Sequence, residues 1–308
     1  MILVVNAGSS SVKVALFDAQ GAEVLRGEVT EVGRAGRLSL GAWRQEVAAA
    51  DHGVALALLL AALRAEGHPP EGLAAAAHRV VHGGARLTAP VRLTEEAIAA
   101  IEACVPLAPL HNPANLAGIR ALAGLAPALP QFASFDTGFH ATIPEVEHAY
   151  ALPARFRERG LRRYGFHGLS YAHLTGWLRE RDLLPRRLLA FHLGNGASAC
   201  AILEGRSVAT TMGYSPLDGL VMGTRTGAID GMAVLELART EGVEGAGRVL
   251  NREGGLLALG GTSDMRALLA SEEAGARLAV DAFCHWAVRH GAGLAGAGGA
   301  AGAGRAQV

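Results

Sequence analysis

The sequence predicts an α/β protein of two domains with an internal duplication, and three observations predict it. The 308 residues, half of them apolar, suffice to bury two cores. Short β-branched runs early in the chain give way to helix-length Ala/Leu patterns. A strand, small-residue turn, strand, tight turn, strand series over residues 2–32 recurs from Leu188 to Thr211, which reads as a duplicated architecture.

Taken in order, Ile2 to Val5 is a β-branched strand, and Val12, Val14 and Leu16 alternate with Lys13 and Ala15 as a half-buried second strand. Between them, Asn6-Ala-Gly-Ser-Ser-Ser11 is a turn of small residues. Such a turn lets backbone N–H groups approach an anion, and Lys13 adds positive charge beyond it. A plain hairpin is the alternative reading. Ala22 to Val32 predicts a third strand and Arg37 to Leu40 a fourth. Asp51 caps a helix that stops at Gly67 before Pro69 and Pro70. Val80-Val81 leads into the loop His82-Gly-Gly84. Thr94 starts a helix with Glu95 and Glu96 in its first turn, and Asn112-Pro113 starts another. Phe132 to Phe135 is a brief strand closing at Asp136. Residues 1–145 form the first domain, and Glu145 to Pro153 connects onward.

The second domain, residues 146–290, opens on the repeat: Leu188 to Leu193, the turn Gly194-Asn-Gly-Ala-Ser198, a strand to Leu203, the turn Glu204-Gly-Arg206, and a strand to Thr211. Two such turns facing across a cleft would converge on one nucleotide. Asp230 and Ser263 are helix caps, and Glu272 to His290 is a helix with Leu278, Phe283, Trp286 and Ala287 on its core face. Residues 291–308 are nearly all Gly and Ala, and we expect a frayed or disordered tail.

Lys plus Arg equals Asp plus Glu at 28 each, so the overall charge recommends no nucleic acid. Cys104, Cys200 and Cys284 follow no ligand spacing and cannot all pair, which suits a reducing compartment; the cytoplasm is expected. The apolar runs are too short for a signal peptide or a membrane span. With 12 histidines a zinc centre is a candidate, but no pair combines zinc-motif spacing with a third ligand. Arg79, beside His82-Gly-Gly84, and Arg225, in Gly223-Thr-Arg-Thr-Gly227, lie in Gly-containing loops after likely strands. A guanidinium there can grip a carboxylate or phosphate in bidentate fashion; a surface salt bridge is the plainer alternative.

Several long blocks resemble the acetate kinase family of the acetate and sugar kinase, heat-shock chaperone and actin superfamily. They are NAGSSSVKVALFD from Asn6, HRVVHGG from His78, PLHNPANLAGI from Pro109, FDTGFHATIP from Phe135, RRYGFHG from Arg162, HLGNGASACAI from His192, MGYSPLDGLVMGTRTG from Met212 and SDMR from Ser263. The resemblance implies a duplicated actin-like, ribonuclease H-like fold with a nucleotide cleft between domains. It implies reversible transfer of the γ-phosphoryl group of ATP to acetate by direct in-line displacement. It implies Mg²⁺ as cofactor, with Mn²⁺ as an alternative, and a homodimer. A carboxylate substrate is already ionised at neutral pH and needs no general base; the obstacle is repulsion between two anions, which fixed cations relieve.

By the same resemblance Arg79 binds substrate, Arg225 and His167 act on the transferring phosphoryl group, and His111 lies near the site. Asp136 orients the metal rather than acting as a base. Val81, Leu110, Phe166 and Pro216 line the methyl pocket, favouring acetate with propionate next. Asn6 acts on the metal. Lys13, Ser9 and Ser11 serve the nucleotide, as do His192, Leu193, Gly194, Asn195 and Gly196, and Asp264, Met265 and Arg266. Leu169 and Tyr171 stand where the family usually has Thr and His, and Ala228 and Gly231 where it has Asp and Pro. Family members continue through a further strand, a Gly-Ile-Gly-Glu-Asn loop, a Glu near the C-terminus that helps hold Mg²⁺, and a closing helix, none of which follows here. The expectation is a C-terminally incomplete chain, as a frameshift or misplaced stop would give, and an inactive nucleotide-binding member stays open as the alternative. A sugar kinase of the same superfamily suits the two arginines and the apolar pocket less well.

Overall fold

The structure, a computed structural model, describes residues 1–300, with side chains as far as 296. Its contacts divide into two compact units, Met1–Gly138 and Phe139 onward. The division falls there because the Asp136 N–H still donates to Val80 O and the Thr137 hydroxyl accepts from Gly83 N, whereas His140 bonds to Phe166 and Ser207.

The first unit is one mixed sheet. Its strands are β1 (Ile2–Ala7), β2 (Ser11–Phe17), β3 (Glu23–Thr30), β4 (Ala35–Leu40), β5 (Trp43–Ala48), β6 (Ala75–Val80), β7 (Val91–Arg92) and β8 (Gln131–Phe135), in the order β5-β4-β3-β2-β1-β6-β8-β7. The first five form an antiparallel meander, while β1, β6 and β8 run parallel. Alternation along β1 buries Leu3, Val5 and Ala7 on one face. Helix α1 (His52–Ala65) covers that face with Leu56, Leu59, Leu60 and Leu63, each worth about 1.5–3 kcal/mol when fully buried. The expected cap is present, with Asp51 Oδ1 accepting from Val54 N at 2.9 Å. Helices α2 (Glu95–Ala103) and α3 (Asn112–Leu125) complete the layer. Strand β5 had no sequence signal: Trp43 to Glu46 are all exposed, and only the hairpin turned at Gly41, with φ +53°, sets them in the sheet.

In the second unit, α4 (Glu145–His148), α5 (Ala154–Arg157) and α6 (Gly168–Arg179) precede the repeat, β9 (Arg187–Leu193), β10 (Ala197–Leu203) and β11 (Arg206–Thr210). These three strands form an antiparallel sheet in the order β11-β10-β9, matching β3-β2-β1. Strand β10 is covered on both faces. Tyr171 of α6 packs on Cys200 and Ile202, and Leu294 packs on Ala199 and Ala201. The remaining helices are α7 (Gly231–Arg248), α8 (Gly255–Gly260), α9 (Met265–Ala270) and α10 (Ala274–Ala300). Sequence reasoning assigned nothing to α6, whose buried stripe is only Gly168, Tyr171 and Thr175, too narrow and polar to register as amphipathic.

Three expectations are corrected. The Gly/Ala stretch is helical to Ala300: Ala is the best helix former, a long helix already nucleates it, and Leu294 is buried at 7% exposure. At Gly291 an added Cβ would sit 2.9 Å from the end of the Phe191 ring, so the helix approaches β9 closely here. Residues 301–308 lie outside the described residues. Leu278 is 56% exposed, because the buried stripe runs through Ala279, Phe283 and Trp286 and Leu278 lies about 100° off it. The cap of α9 is Asp264 rather than Ser263, its carboxylate accepting from Arg266 N at 2.9 Å.

Candidate active site

In the first unit the functional side chains gather on the sheet face opposite α1. Register sets them there: Asn6 is paired with Lys13, Lys13 with Glu28, and Val5 with His78, which places Arg79 alongside Asn6. Arg79 Nη2 lies 2.6 Å from Asp136 Oδ2, its Nε lies 3.1 Å from each carboxylate oxygen, and its Nη1 donates to Asn6 Oδ1 at 3.3 Å. Burial alone would lower the Arg79 pKa, but the Asp136 charge and hydrogen bonds raise it. Asp136 is buried just past β8, so the cluster sits at the carboxyl ends of three parallel strands, where α/β sheets usually bind ligands. Lys13 reaches Glu28 at 3.5 Å, and a cavity of about 230 Å³ on this face is lined by Asn6, Lys13 and Glu28 among others.

The loop behind this cluster is fixed by two residues that sequence reasoning did not assign to the site. Asn115 Oδ1 accepts from Val81 N and its Nδ2 donates to Ala7 O; Asn112 Oδ1 accepts from His82 N and its Nδ2 donates to His82 O. Both asparagines are buried, one helical turn apart on α3. A pair of amides on the core face of an otherwise apolar helix was the available signal. Gly83 is required here, since a Cβ would meet Leu87 O at 2.1 Å. Val81 is buried, His111 precedes α3 and is half-buried, and Leu110 is 49% exposed.

In the second unit a separate group of candidate residues gathers at the β9–β10 turn. His192 is half-buried, while Leu193, Gly194 and Asn195 are exposed and Gly196 is half-buried. Gly223 N donates to Asn195 O at 3.1 Å, tying the turn to the loop that carries Arg225. A Cβ placed on Gly196 would be 3.3 Å from both Arg225 Nη1 and His167 Nε2, so the two side chains converge on the turn. Arg225 Nη1 donates to Pro216 O at 3.1 Å, and burial lowers its pKa; among the described residues no carboxylate lies within ion-pair distance of it. His167 sits at φ +60° at the start of α6, its Nδ1 2.8 Å from Ser198 Oγ and its ring stacked 4.1 Å from His192. Phe166 is fully buried, and its carbonyl accepts from His140 Nε2. Asp264, Met265 and Arg266 open the short helix α9, with Asp264 and Arg266 exposed. Ser9 is exposed, and Ser11 O accepts from Gly8 N to close the first turn.

The first unit therefore offers hard oxygen donors, the Asn6 carboxamide and the Asp136 carboxylate, within reach of one guanidinium. That donor set suits Mg²⁺, which takes one or two protein oxygens and completes its shell with water and phosphate. The second unit offers a glycine turn with a cation and an imidazole aimed at it, a setting for an anion.

Residues 1–296 match the model of the Acetokinase family. An acetate kinase of Deinococcus radiodurans is 45% identical over 95% of this chain and 77% of its own length. A propionate kinase from Francisella tularensis superposes with a TM-score of 0.91 at 34% identity, covering 95% of this chain and 79% of the other. The Porphyromonas gingivalis acetate kinase gives 0.88 at 35% identity, covering 97% and 80%.

Proposed function

Because the chain belongs to the acetokinase family, we propose that it transfers the γ-phosphoryl group of ATP to acetate, reversibly, giving acetyl phosphate and ADP. It is an ATP-dependent phosphotransferase of the actin-like α/β class with a carboxyl group as acceptor.

The observation that carries the mechanism is the state of the two arginines. Asp136, the carboxylate nearest the chemistry, is bound through both oxygens by Arg79 and so is poorly placed to take a proton. An acetate ion needs no base, so an orienting role suits Asp136 better. Arg225, lacking a carboxylate partner among the described residues, keeps its charge for the equatorial oxygens of the transferring group, and His167 Nε2 points to the same turn. Arg79 meets the acyl carboxylate. Asn6 would hold Mg²⁺ through its carboxamide oxygen, with Asp136 orienting it, and the ion when bound would neutralise phosphate charge. Lys13, Ser9, Ser11, the turn from His192 to Gly196 and residues Asp264 to Arg266 serve ATP. We assign acyl recognition to Val81, Leu110, Phe166 and Pro216.

Propionate is the second reading, favoured by the close superposition on a propionate kinase. One methylene in an apolar pocket discriminates by only ~1–3 kcal/mol. Among the described residues no helix is long and apolar enough to cross a membrane, and we place the protein in the cytoplasm as a homodimer. A hydroxamate assay for acyl phosphate, with acetate and propionate in parallel and an ATP-binding titration beside it, tests the function. Product with either acid is the expected result. ATP binding without product would replace this reading with that of a nucleotide-binding protein lacking turnover.

A further inference from the structure

Behind His167 lies a buried hydroxyl chain that the reaction as described does not use. Tyr171 Oη is 2.6 Å from Ser198 Oγ, and Ser198 Oγ is 2.8 Å from His167 Nδ1. Tyr171 is 1% exposed and Ser198 is fully buried, so solvent cannot supply substitutes for either partner. The phenol is held in place by Phe139, stacked at 6.4 Å, and by His140 edge-on at 5.9 Å.

We propose that Tyr171 is a positioning residue for phosphoryl transfer: acting through Ser198, it fixes His167 in the tautomer that carries its proton on Nε2, the nitrogen beside Gly196 and Arg225. The direction follows from counting protons. Among the described residues Ser198 Oγ is the one acceptor within hydrogen-bond distance of the buried phenol, so the Tyr171 proton is directed to it. Ser198 then accepts from Tyr171, and its own proton goes to His167 Nδ1. A neutral imidazole whose Nδ1 accepts must carry hydrogen on Nε2. Burial raises the Tyr171 pKa, so the phenol stays protonated and the chain keeps its direction across the physiological range. An imidazole in the other tautomer would present a lone pair to the phosphoryl oxygens and repel them. The sequence position of Tyr171, one helical turn past His167, is what lets its hydroxyl reach the same serine.

The proposal rests on the assigned reaction for its catalytic meaning, but the tautomer can be read without turnover. In the full chain labelled with ¹⁵N-histidine, with the His167 signals assigned by loss in His167→Gln, spectra taken above the imidazole pKa should show Nδ1 unprotonated and Nε2 protonated. Tyr171→Phe keeps the ring and removes only the hydroxyl, and Ser198→Ala removes the relay atom. Both should shift His167 measurably toward the Nδ1-protonated form, and the double variant should shift it no further than Ser198→Ala alone. In the acyl phosphate assay, Tyr171→Phe should lower kcat on the order of tenfold with KM for ATP and acid unchanged. Unchanged tautomer populations in Tyr171→Phe, with the thermal midpoint retained, would overturn the relay. A wild-type His167 already protonated on Nδ1 would overturn it too. A chain with the expected tautomer shift but no product would refute the kinase reading and leave the relay standing.

Discussion

Arg79 and Asp136 form a two-point ion pair, with Nη2 2.6 Å from Oδ2 and Nε 3.1 Å from both oxygens, at the ends of neighbouring parallel strands. The carboxylate side chain is 4% exposed and the guanidinium 37% exposed, so among the described residues the anion's one ion-pair partner is this cation, while the cation keeps access to a ligand.

Removing either partner should therefore be costly in different ways. Arg79→Ala leaves Asp136 charged and buried, and after allowance for screening at the exposed end we expect about 1–3 kcal/mol of lost stability. Turnover should drop on the order of 10³. A double-mutant cycle with Asp136→Ala, followed by urea unfolding, should return a coupling of about 1–3 kcal/mol. Additive single effects would show the pair to be energetically idle.

Arg225→Lys should keep the fold and lose most of the rate. An ammonium cannot supply the planar fork, and with no carboxylate partner among the described residues the structural loss is confined to the hydrogen bond to Pro216 O. We expect kcat to fall on the order of 10² or more, with the melting temperature nearly constant. A rate close to wild type would remove Arg225 from the chemistry.

Two glycine replacements separate binding from folding. Gly196→Ala puts a methyl 3.3 Å from Arg225 Nη1 and His167 Nε2, a tolerable contact that fills the space an anion would take. Its ATP affinity should weaken about tenfold or more at unchanged melting temperature. Gly83→Ala drives a methyl to 2.1 Å from Leu87 O and should instead cost about 1–3 kcal/mol of stability. Equal effects of the two on the melting temperature would contradict this division.

Asn115→Leu deletes one acceptor and one donor in a closed interior. Val81 N and Ala7 O would both be left without their partner, at about 1–3 kcal/mol each. Hydrogen exchange at Val81 should accelerate before global unfolding; protection equal to wild type would mean that the loop does not depend on Asn115.

Acid sensitivity should come from buried neutral histidines. Burial lowers the pKa of His78, His82 and His140 from 6.5 to about 4, two histidines in the first unit and one in the second. A depressed folded pKa means that the unfolded chain binds the extra proton first. The stabilisation is complete above about pH 6.5 and is lost as pH falls toward 4, by ~1.4 kcal/mol per pH unit for each histidine. The urea midpoint should fall between pH 7 and pH 5, and His140→Gln should flatten that slope. A midpoint that rises over this interval would contradict the sign.

Local chemistry carried much of this protein in plain sight. Strands β1 to β4 and β9 to β11 follow from apolar alternation, helix α1 from the Asp51 cap and the Gly67 stop, and the glycine turns and arginines from their motifs. These are properties of neighbours along the chain, and periodicity records them directly. Strand β5, the helical run past Gly291 and the asparagine clamp on α3 were decided by tertiary partners: a hairpin edge, a sheet against which Leu294 is buried, and two carbonyls with two loop amides to satisfy. The state of the site was decided in the same way. No spacing rule shows that Arg79 is neutralised by Asp136 while Arg225 has no carboxylate partner among the described residues, nor that a tyrosine and a serine set the face that His167 presents, because electrostatic and hydrogen-bond partners are chosen by distance in space, and strand register fixes those distances only once the chain has folded.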